Sequence, residues 1–304
     1  MATPMRSTDF RSIVEPILNE EFNGIYDQRA DEWKQVFREF TGIPRSYHEE
    51  PVLYGFGAAP ELPDGTAVTY QSGGVLFIQR YVYKVYGLAF ALTKVLVEDG
   101  DHIRVGQTYA RHLAQSLIET KETLCANILN RAFNGSYLGG DGVALNVTNH
   151  PIVTGTFSNL LTTAAALSQT SLEQMLIQIR NAVDNNGKRI RLTPKKLVSG
   201  PSLMFQGEVL LNSALRAGTA NNDINPVKSM GLLGEGHAVL SRITSTTAWW
   251  VETDAPEGLK LAKRRGLERS MEGDFETDSM RYKSTERYIP GWTDPRGIYG
   301  TAGL

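Results

Sequence analysis

Residues 101–134 read DHIRVGQTYARHLAQSLIETKETLCANILNRAFN. Apolar or small residues recur at Ala110, Leu113, Ala114, Leu117, Leu124, Cys125, Ile128, Leu129 and Ala132. That is the i, i+3, i+4, i+7 spacing of one helical face. Arg111, Gln115, Glu119, Glu122 and Asn130 fall on the opposite face. Glu98, Asp99 and Asp101 make an acidic approach and Arg131 a basic end, the arrangement a helix dipole favours. Asn134-Gly135 is a stop signal. At 1.5 Å per residue such a helix is roughly 50 Å long, against a mean of about 11–12 residues for ordinary helices. A helix of that length spans a domain. Taken alone, it also suits the core of an all-α protein.

The flanking sequence argues against all-α. Residues 9–40 keep roughly helical spacing through Phe10, Ile13, Val14, Ile17, Leu18, Ile25, Trp33, Val36, Phe37 and Phe40, with Pro16 and Gly24 as interruptions. One or two helices in an N-terminal arm are expected, packed on the chain's own body or on a neighbour. Residues 42–74 are punctuated by glycine and proline, with β-type pieces such as TAVTYQS. Residues 75–97, VLFIQRYVYKVYGLAFALTKVLV, are rich in β-branched and aromatic residues and read as extended strand. Together they describe a long two-stranded excursion, and an isolated hairpin is marginal in water.

Beyond the long helix, residues 135–159 read as loops and short strands. A helix follows, opened by a capping-box pattern of Thr170 or Ser171 before Glu173 and Gln174. It carries Leu172, Met175, Leu176, Ile179 and Val183 and stops at Asn186-Gly187. Then come a strand in LTPKKLVSGP, a helix in SLMFQGEVLLNSAL, a loop through TANNDINPVKSMGLLGEGH, and two strands in AVLSRITSTTAWWVETD. This alternation makes residues 143–256 a compact α+β or α/β unit. The tail from Glu257 has a basic run, Lys260, Lys263, Arg264 and Arg265, read as a solvated or interface face. Its alternating FETDSMRYKSTERYI favours strands returning beside the long helix.

Composition excludes more than it suggests. With 304 residues a core is easily buried. Thirty-one basic against 33 acidic residues give a net charge of -2, which demands no nucleic-acid groove but does not prevent enclosing nucleic acid. The single cysteine, Cys125, forms no intrachain disulfide and no zinc site. MATPMRSTDF lacks a signal-peptide core, and GLAFALTKVLV is short for a membrane span and broken by Lys94. A soluble protein assembled inside the cell, with no membrane partner, is expected.

Catalytic constellations do not stand out. GLLGEGH has glycines without the G-x-G-x-x-G spacing, and neither H-E-x-x-H nor G-x-S-x-G occurs. His48, His102, His112, His150 and His237 are scattered. His150, between Asn149 and Pro151, is the one candidate for a special role, with a structural turn as the plainer reading. No catalytic, metal or cofactor residue is assigned, and no cofactor is expected.

The succession of features resembles the tailed-bacteriophage major capsid proteins of the Hong Kong 97-type α+β fold, and is similar to the head subunit of Mu-like prophages. LAFALTKVLVEDG (88–100), LAQSLIETKETLCANILNRAF (113–133), DGVALNVTNHPIVTGTFSN (141–159) and LSQTSLEQML (167–176) carry it. NDINPVKS (222–229), AWWVETD (248–254) and RYIPGWTDPRGIYG (287–300) continue it. The resemblance implies an N-terminal arm at 1–45, an extended loop at 46–97 and an axial domain at 143–256. The peripheral domain, with its spine helix, would be 98–142 and 257–304. It further implies pentamers and hexamers of an icosahedral shell around double-stranded DNA, held without sequence specificity. A separate scaffolding protein, a portal and a cement or decoration protein would be partners. Assembly in the host bacterial cytoplasm is expected. The competing readings are an encapsulin-like nanocompartment shell around protein cargo and a soluble oligomeric enzyme. Some related shells are cross-linked by a loop lysine and a neighbour's asparagine. Here no lysine lies between Lys34 and Lys84, and Arg45 and Arg80 are poor nucleophiles. Asn225 and other asparagines are available acceptors, but a non-covalent shell is expected.

Overall fold

The computed structural model describes residues 7–27, 31–41, 45–93, 95–96, 102–216, 223–274 and 279–304, without the side chains of 7–13 and 102. Lys94 and the acidic approach Glu98, Asp99 and Asp101 lie outside the described residues, as do residues 217–222 at the start of the expected loop. Helix α1 spans Ser7–Tyr26 and the long helix α2 spans His102–Asn130. Val14, Leu18 and Phe22 of α1 close over Ala110, Leu113, Ala114 and Leu117 of α2. The described part of the arm's apolar face is therefore covered by the chain's own body.

Pro16 and Gly24 do not interrupt α1. Pro16 is exposed, so its missing N–H falls on the solvent side while the buried stripe stays continuous, and tertiary packing carries the helix. Glu122 is a second correction. It is buried rather than on a solvated face, because the 3-10 turn Glu32–Gln35 packs there. Glu122 Oε1 accepts the Glu32 N–H at 2.8 Å and Oε2 the Trp33 N–H at 3.1 Å.

Strand β1 spans Arg38–Thr41. Strands β2 (Tyr47–Tyr54) and β3 (Gly74–Val82) pair antiparallel as a two-stranded ribbon. Residues 55–73 at its far end hold no strand. TAVTYQS has β-type composition but no neighbour to complete its hydrogen bonds. The extended run expected over 75–97 is divided at Tyr83. Strand β4 (Lys84–Leu92) leaves the ribbon and pairs with β11 (Ser279–Trp292).

A short hairpin, β5 (His150–Ile152) and β6 (Gly155–Phe157), follows α2. Helix α3 (Gln169–Arg180) is capped by Ser168, whose side chain accepts the Ser171 N–H while the Ser171 hydroxyl accepts the Ser168 N–H. The capping box thus begins two or three residues earlier than expected. The helix ends at Arg180; Val183 instead bridges to Arg189 across a tight turn whose tip is Gly187, with φ +79°. Strand β7 (Pro194–Ser199), helix α4 (Met204–Asn212), β8 (His237–Val239) and β9 (Trp249–Thr253) complete this unit. Within the expected loop, Pro226–Ser229 form one helical turn capped by Asn225.

Strand β10 (Leu259–Asp274) and β11 form the centre of a four-stranded sheet in the order β1-β10-β11-β4. The last strand, β12 (Ile298–Thr301), goes elsewhere: the second sheet runs β12-β9-β7-β8. Trp250, Leu129, Cys125, Leu261 and Tyr288 share one core that joins α2 to both sheets. α3 and α4 cover the second sheet through Leu172, Met175, Ile179, Leu210 and Trp249.

Candidate interaction surfaces

The histidines do not converge, and no group of three or more His, Cys, Asp or Glu side chains among the described residues is set to hold a metal ion. His112 is exposed on α2, and the His102 side chain lies outside the described residues. His237 Nε2 lies 2.8 Å from Ser199 Oγ, a pairing 38 residues apart in sequence that no motif announces. Ser199 is fully buried, and burial lowers the His237 pKa. A Cβ at Gly207 would fall 2.3 Å from the imidazole. The pair is a packing joint between α4 and the second sheet. Burial also pushes the Cys125 thiol up, making it an inert core residue.

His150 is wholly buried. Its Nδ1 lies 2.6 Å from Asp141 Oδ2, and its Nε2 lies 3.1 Å from both Asn159 Oδ1 and Leu145 O. Asn159 Nδ2 donates to Leu145 O and Pro295 O, and Trp250 Nε1 donates to Asn146 Oδ1. This network fixes the loop between α2 and β5. A Cβ at Gly139 would strike Trp292 at 2.1 Å, and one at Gly140 would lie 2.8 Å from Ile78 O. The loop is therefore wedged against the root of the β2–β3 ribbon.

That ribbon is the most prominent surface feature. Its root is held by Lys260, which is buried and pairs with Glu50 and Glu257. Thr293 Oγ1 also donates to Glu50, at 2.5 Å, and Tyr81 Oη lies 2.5 Å from Thr293 Oγ1. Burial acts to raise the Glu50 pKa, but Lys260 and Thr293 together hold it below its ordinary value. Lys260 is thus not part of a solvated basic run. Lys263 pairs with Glu39 and Arg265 with Glu268. Farther out, Asn185 Nδ2 donates to Leu53 O, Asn186 Nδ2 to Gly55 O and Lys188 Nζ to Phe56 O. Beyond these ties Phe56, Leu62, Val68 and Tyr70 are exposed around a hollow of about 400 Å³. Exposed apolar groups gathered on a projection mark a contact surface.

The arm is tied similarly. Lys121 and Glu286 pair at 2.7 Å beneath α1, and Tyr26 donates to Glu286. Asn225 is not an available acceptor for a cross-link. It is buried, caps the turn at 226–229 and donates to Leu210 O and Ser213 O. Lys84 opens β4, in a cleft with Arg80 and Arg131 at the ribbon's root, away from the tip.

Two further surfaces lie on the second unit. A hollow of about 810 Å³ opens between α3 and residues 223–232, lined by Leu176, Ile177, Val227 and Leu232. Elsewhere on that unit, Phe205 and Val209 of α4 are exposed.

Burial raises the Glu252 pKa to about 7, Lys196 at 3.8 Å opposing it only partly. Glu252 Oε2 has no hydrogen-bond partner among the described residues. The folded chain therefore holds a proton that the unfolded chain releases near pH 4.5, and stability falls as pH rises from there through about 7. Glu252→Gln removes the ionisation. The variant is expected to match the wild type at pH 4. At pH 8 it should be more stable by on the order of 1–2 kcal/mol. Urea unfolding of dissociated subunits at the two pH values checks this.

A family model described as phage capsid protein matches residues 79–301. No curated protein matches the chain. Among solved structures, the capsid of cyanophage P-SCSP1u is 11% identical, covers 91% of this chain and 89% of its own, and superposes with a TM-score of 0.56. The mature capsid of bacteriophage PhiM1 is 11% identical, with coverage of 90% and 87% and a TM-score of 0.53. A virus-like particle from Pyrococcus furiosus is 10% identical, with coverage of 94% and 98% and a TM-score of 0.52. At these identities the structural likenesses speak for fold alone.

Proposed function

The chain belongs to the phage capsid protein family and has the Hong Kong 97-type fold, and from that premise we propose how it serves as a major capsid protein. Copies assemble as pentamers and hexamers of an icosahedral shell enclosing double-stranded DNA. The observation that carries this reading is the family match over residues 79–301, which runs from within the ribbon's second strand to the last strand of the second sheet. The projecting ribbon with its exposed apolar tip supports it, because such a projection finds cover only on a neighbour. The role is structural rather than enzymatic.

In this reading residues 1–45 are the arm and 46–97 the extended loop. Residues 98–142 and 257–304 form the peripheral domain, and 143–256 the axial domain. The last strand of the peripheral segment, β12, reaches across to pair with β9 of the axial part. The net charge of -2 suits DNA that is enclosed rather than gripped. A separate scaffolding protein, a portal and a cement protein are partners to seek, with assembly in the host cytoplasm. No described helix is long and apolar enough to cross a membrane. The narrower likeness to Mu-like head subunits is kept as a proposal.

Negative-stain microscopy of the purified protein, followed by nucleic-acid extraction, tests the reading. Icosahedral particles holding DNA support it. Small oligomers under all conditions refute it, and particles packed with an enzyme would favour the nanocompartment alternative suggested by the shared fold.

The shell is expected to be held without covalent cross-links, since the loop tip has no lysine and Asn225 is fully engaged. Boiled in detergent and reductant, mature particles should run as a single band near 33.6 kDa. A ladder of multimers containing isopeptide bonds would overturn this.

A further inference from the structure

Cations set into this fold are commonly met by a carboxylate. Lys260 lies between Glu50 and Glu257, Lys121 meets Glu286, and Lys196 lies near Glu235 and Glu252. One cleft departs from this. Its volume is about 440 Å³, within the roughly 300–1,000 Å³ of small-ligand sites. It opens where β3, β4 and the end of α2 meet, and each contributes a cation: Arg80, Lys84 and Arg131. No Asp or Glu among the described residues lines it. Arg80 is answered by Glu49, at 2.7 Å, which is not part of the lining. Lys84 and Arg131 have no carboxylate partner among the described residues. Arg131 instead lies over the Tyr137 ring, 4.4 Å from its centroid, a stack that sets the plane of its fork. The carboxyl end of α2 supplies about half a negative charge, short of balancing two cations. Like charges gathered without a counter-charge repel one another, and an anion relieves that.

We propose that this cleft binds a phosphate group. A planar carboxylate is held through one fork, whereas tetrahedral phosphate offers oxygens to donors arriving from several sides. Here the cations come from three elements, with the Asn127 amide and the Ser136 hydroxyl at the wall. The net charge of -2 belongs to the whole chain and leaves room for such a local site. The phosphate is that of a DNA backbone or of a small free phosphate, and only the first source rests on the shell-protein reading.

The test uses the full chain as dissociated subunits at fixed ionic strength. It compares wild type with Lys84→Gln, Arg131→Gln and a control, Lys283→Gln. All three side chains are exposed, so the variants should fold, and circular dichroism verifies this. The control removes the same charge outside the cleft. Should Arg131→Gln melt early through loss of the Tyr137 stack, Lys84→Gln decides alone. Titration with inorganic phosphate, followed by phosphorus NMR, should show saturable binding that weakens about tenfold in each cleft variant and not in the control. Fluorescence anisotropy of a short labelled DNA duplex identifies the source. Duplex binding whose salt slope falls by about 1 in Lys84→Gln assigns the site to DNA. Phosphate binding without duplex binding assigns it to a small phosphate. The proposal is overturned by no saturable binding of either probe, by unchanged binding in the folded cleft variants, or by equal weakening in the control. Acetate displacing phosphate as well as phosphate itself does also overturns it. None of these readouts needs particles, so failure of the shell reading shows separately, as wild-type protein that never forms them.

Discussion

Leu117→Asp is expected to abolish particles and leave insoluble protein. Leu117 is 4% exposed, in the cluster that holds α1 against α2 and the first sheet. Its neighbours there include Val14, Leu18, Phe22, Leu113 and Met271, none of which offers a hydrogen bond to a carboxylate. The substitution combines lost apolar burial with a buried polar group lacking a partner, a cost of about 3–5 kcal/mol. A domain stable by roughly 5–15 kcal/mol loses much of its margin at that cost. The damage reaches the arm, because Val14, Leu18 and Phe22 are covered by this same cluster. The soluble fraction after expression and particle counts by microscopy check it. Normal heads would mean that the α1–α2 seam is not buried in the shell.

Lys260→Met is expected to release the ribbon from the body. Lys260 is 3% exposed and lies between Glu50 of β2 and Glu257. Removing it leaves Glu50 half-buried without its cation. Breaking a buried pair from one side costs about 3–5 kcal/mol. Glu257 is more than half exposed and can be solvated instead, so the lower end, about 3 kcal/mol, is expected. Hydrogen exchange on dissociated subunits should show protection lost in 47–54 and 74–82, with α2 unchanged. Adding Glu50→Gln removes the stranded charge and should restore most of the loss, which separates the ion pair from mere packing. Uniform loss of protection across both sheets would place Lys260 in the global core rather than at the ribbon's root.

What the chain's local patterns specify came through, and what distant partners specify did not. The long helix was legible because its apolar stripe repeats from Ala110 to Ala132. So were β7, β8 and β9 of the second sheet, but not β12, which the tail's pattern sent to the long helix instead. The division at Tyr83 was not legible. β3 and β4 both read as β-type sequence, and only their partners, β2 on one side and β11 on the other, tell them apart. Glu122 was misplaced for the same reason. Periodicity along α2 sets it opposite the apolar stripe, but the turn at 32–35, some ninety residues earlier, covers that face. Lys260 belongs to a run of cations in sequence, and only the fold brings Glu50 to it. Of the contact surfaces, the glycine-rich tip could be read as a projection. The hollow beside α3 could not, because its lining comes from two separated stretches.

The division at Tyr83 bears on how the subunit carries load. The chain passes from β3 into β4 with a single residue between them, so a tug on the ribbon reaches β4 directly. There β4 is laid against β11 over nine successive residue pairs, from Tyr288↔Lys84 to Met280↔Leu92. The bonds of such a ladder stand across the strand. Tension drawn along β4 therefore strains them together rather than one after another. A strand so joined yields by sliding all at once, at high force, instead of peeling. The ribbon's anchorage is in this sense a shear clamp, suited to a load drawn along the strand.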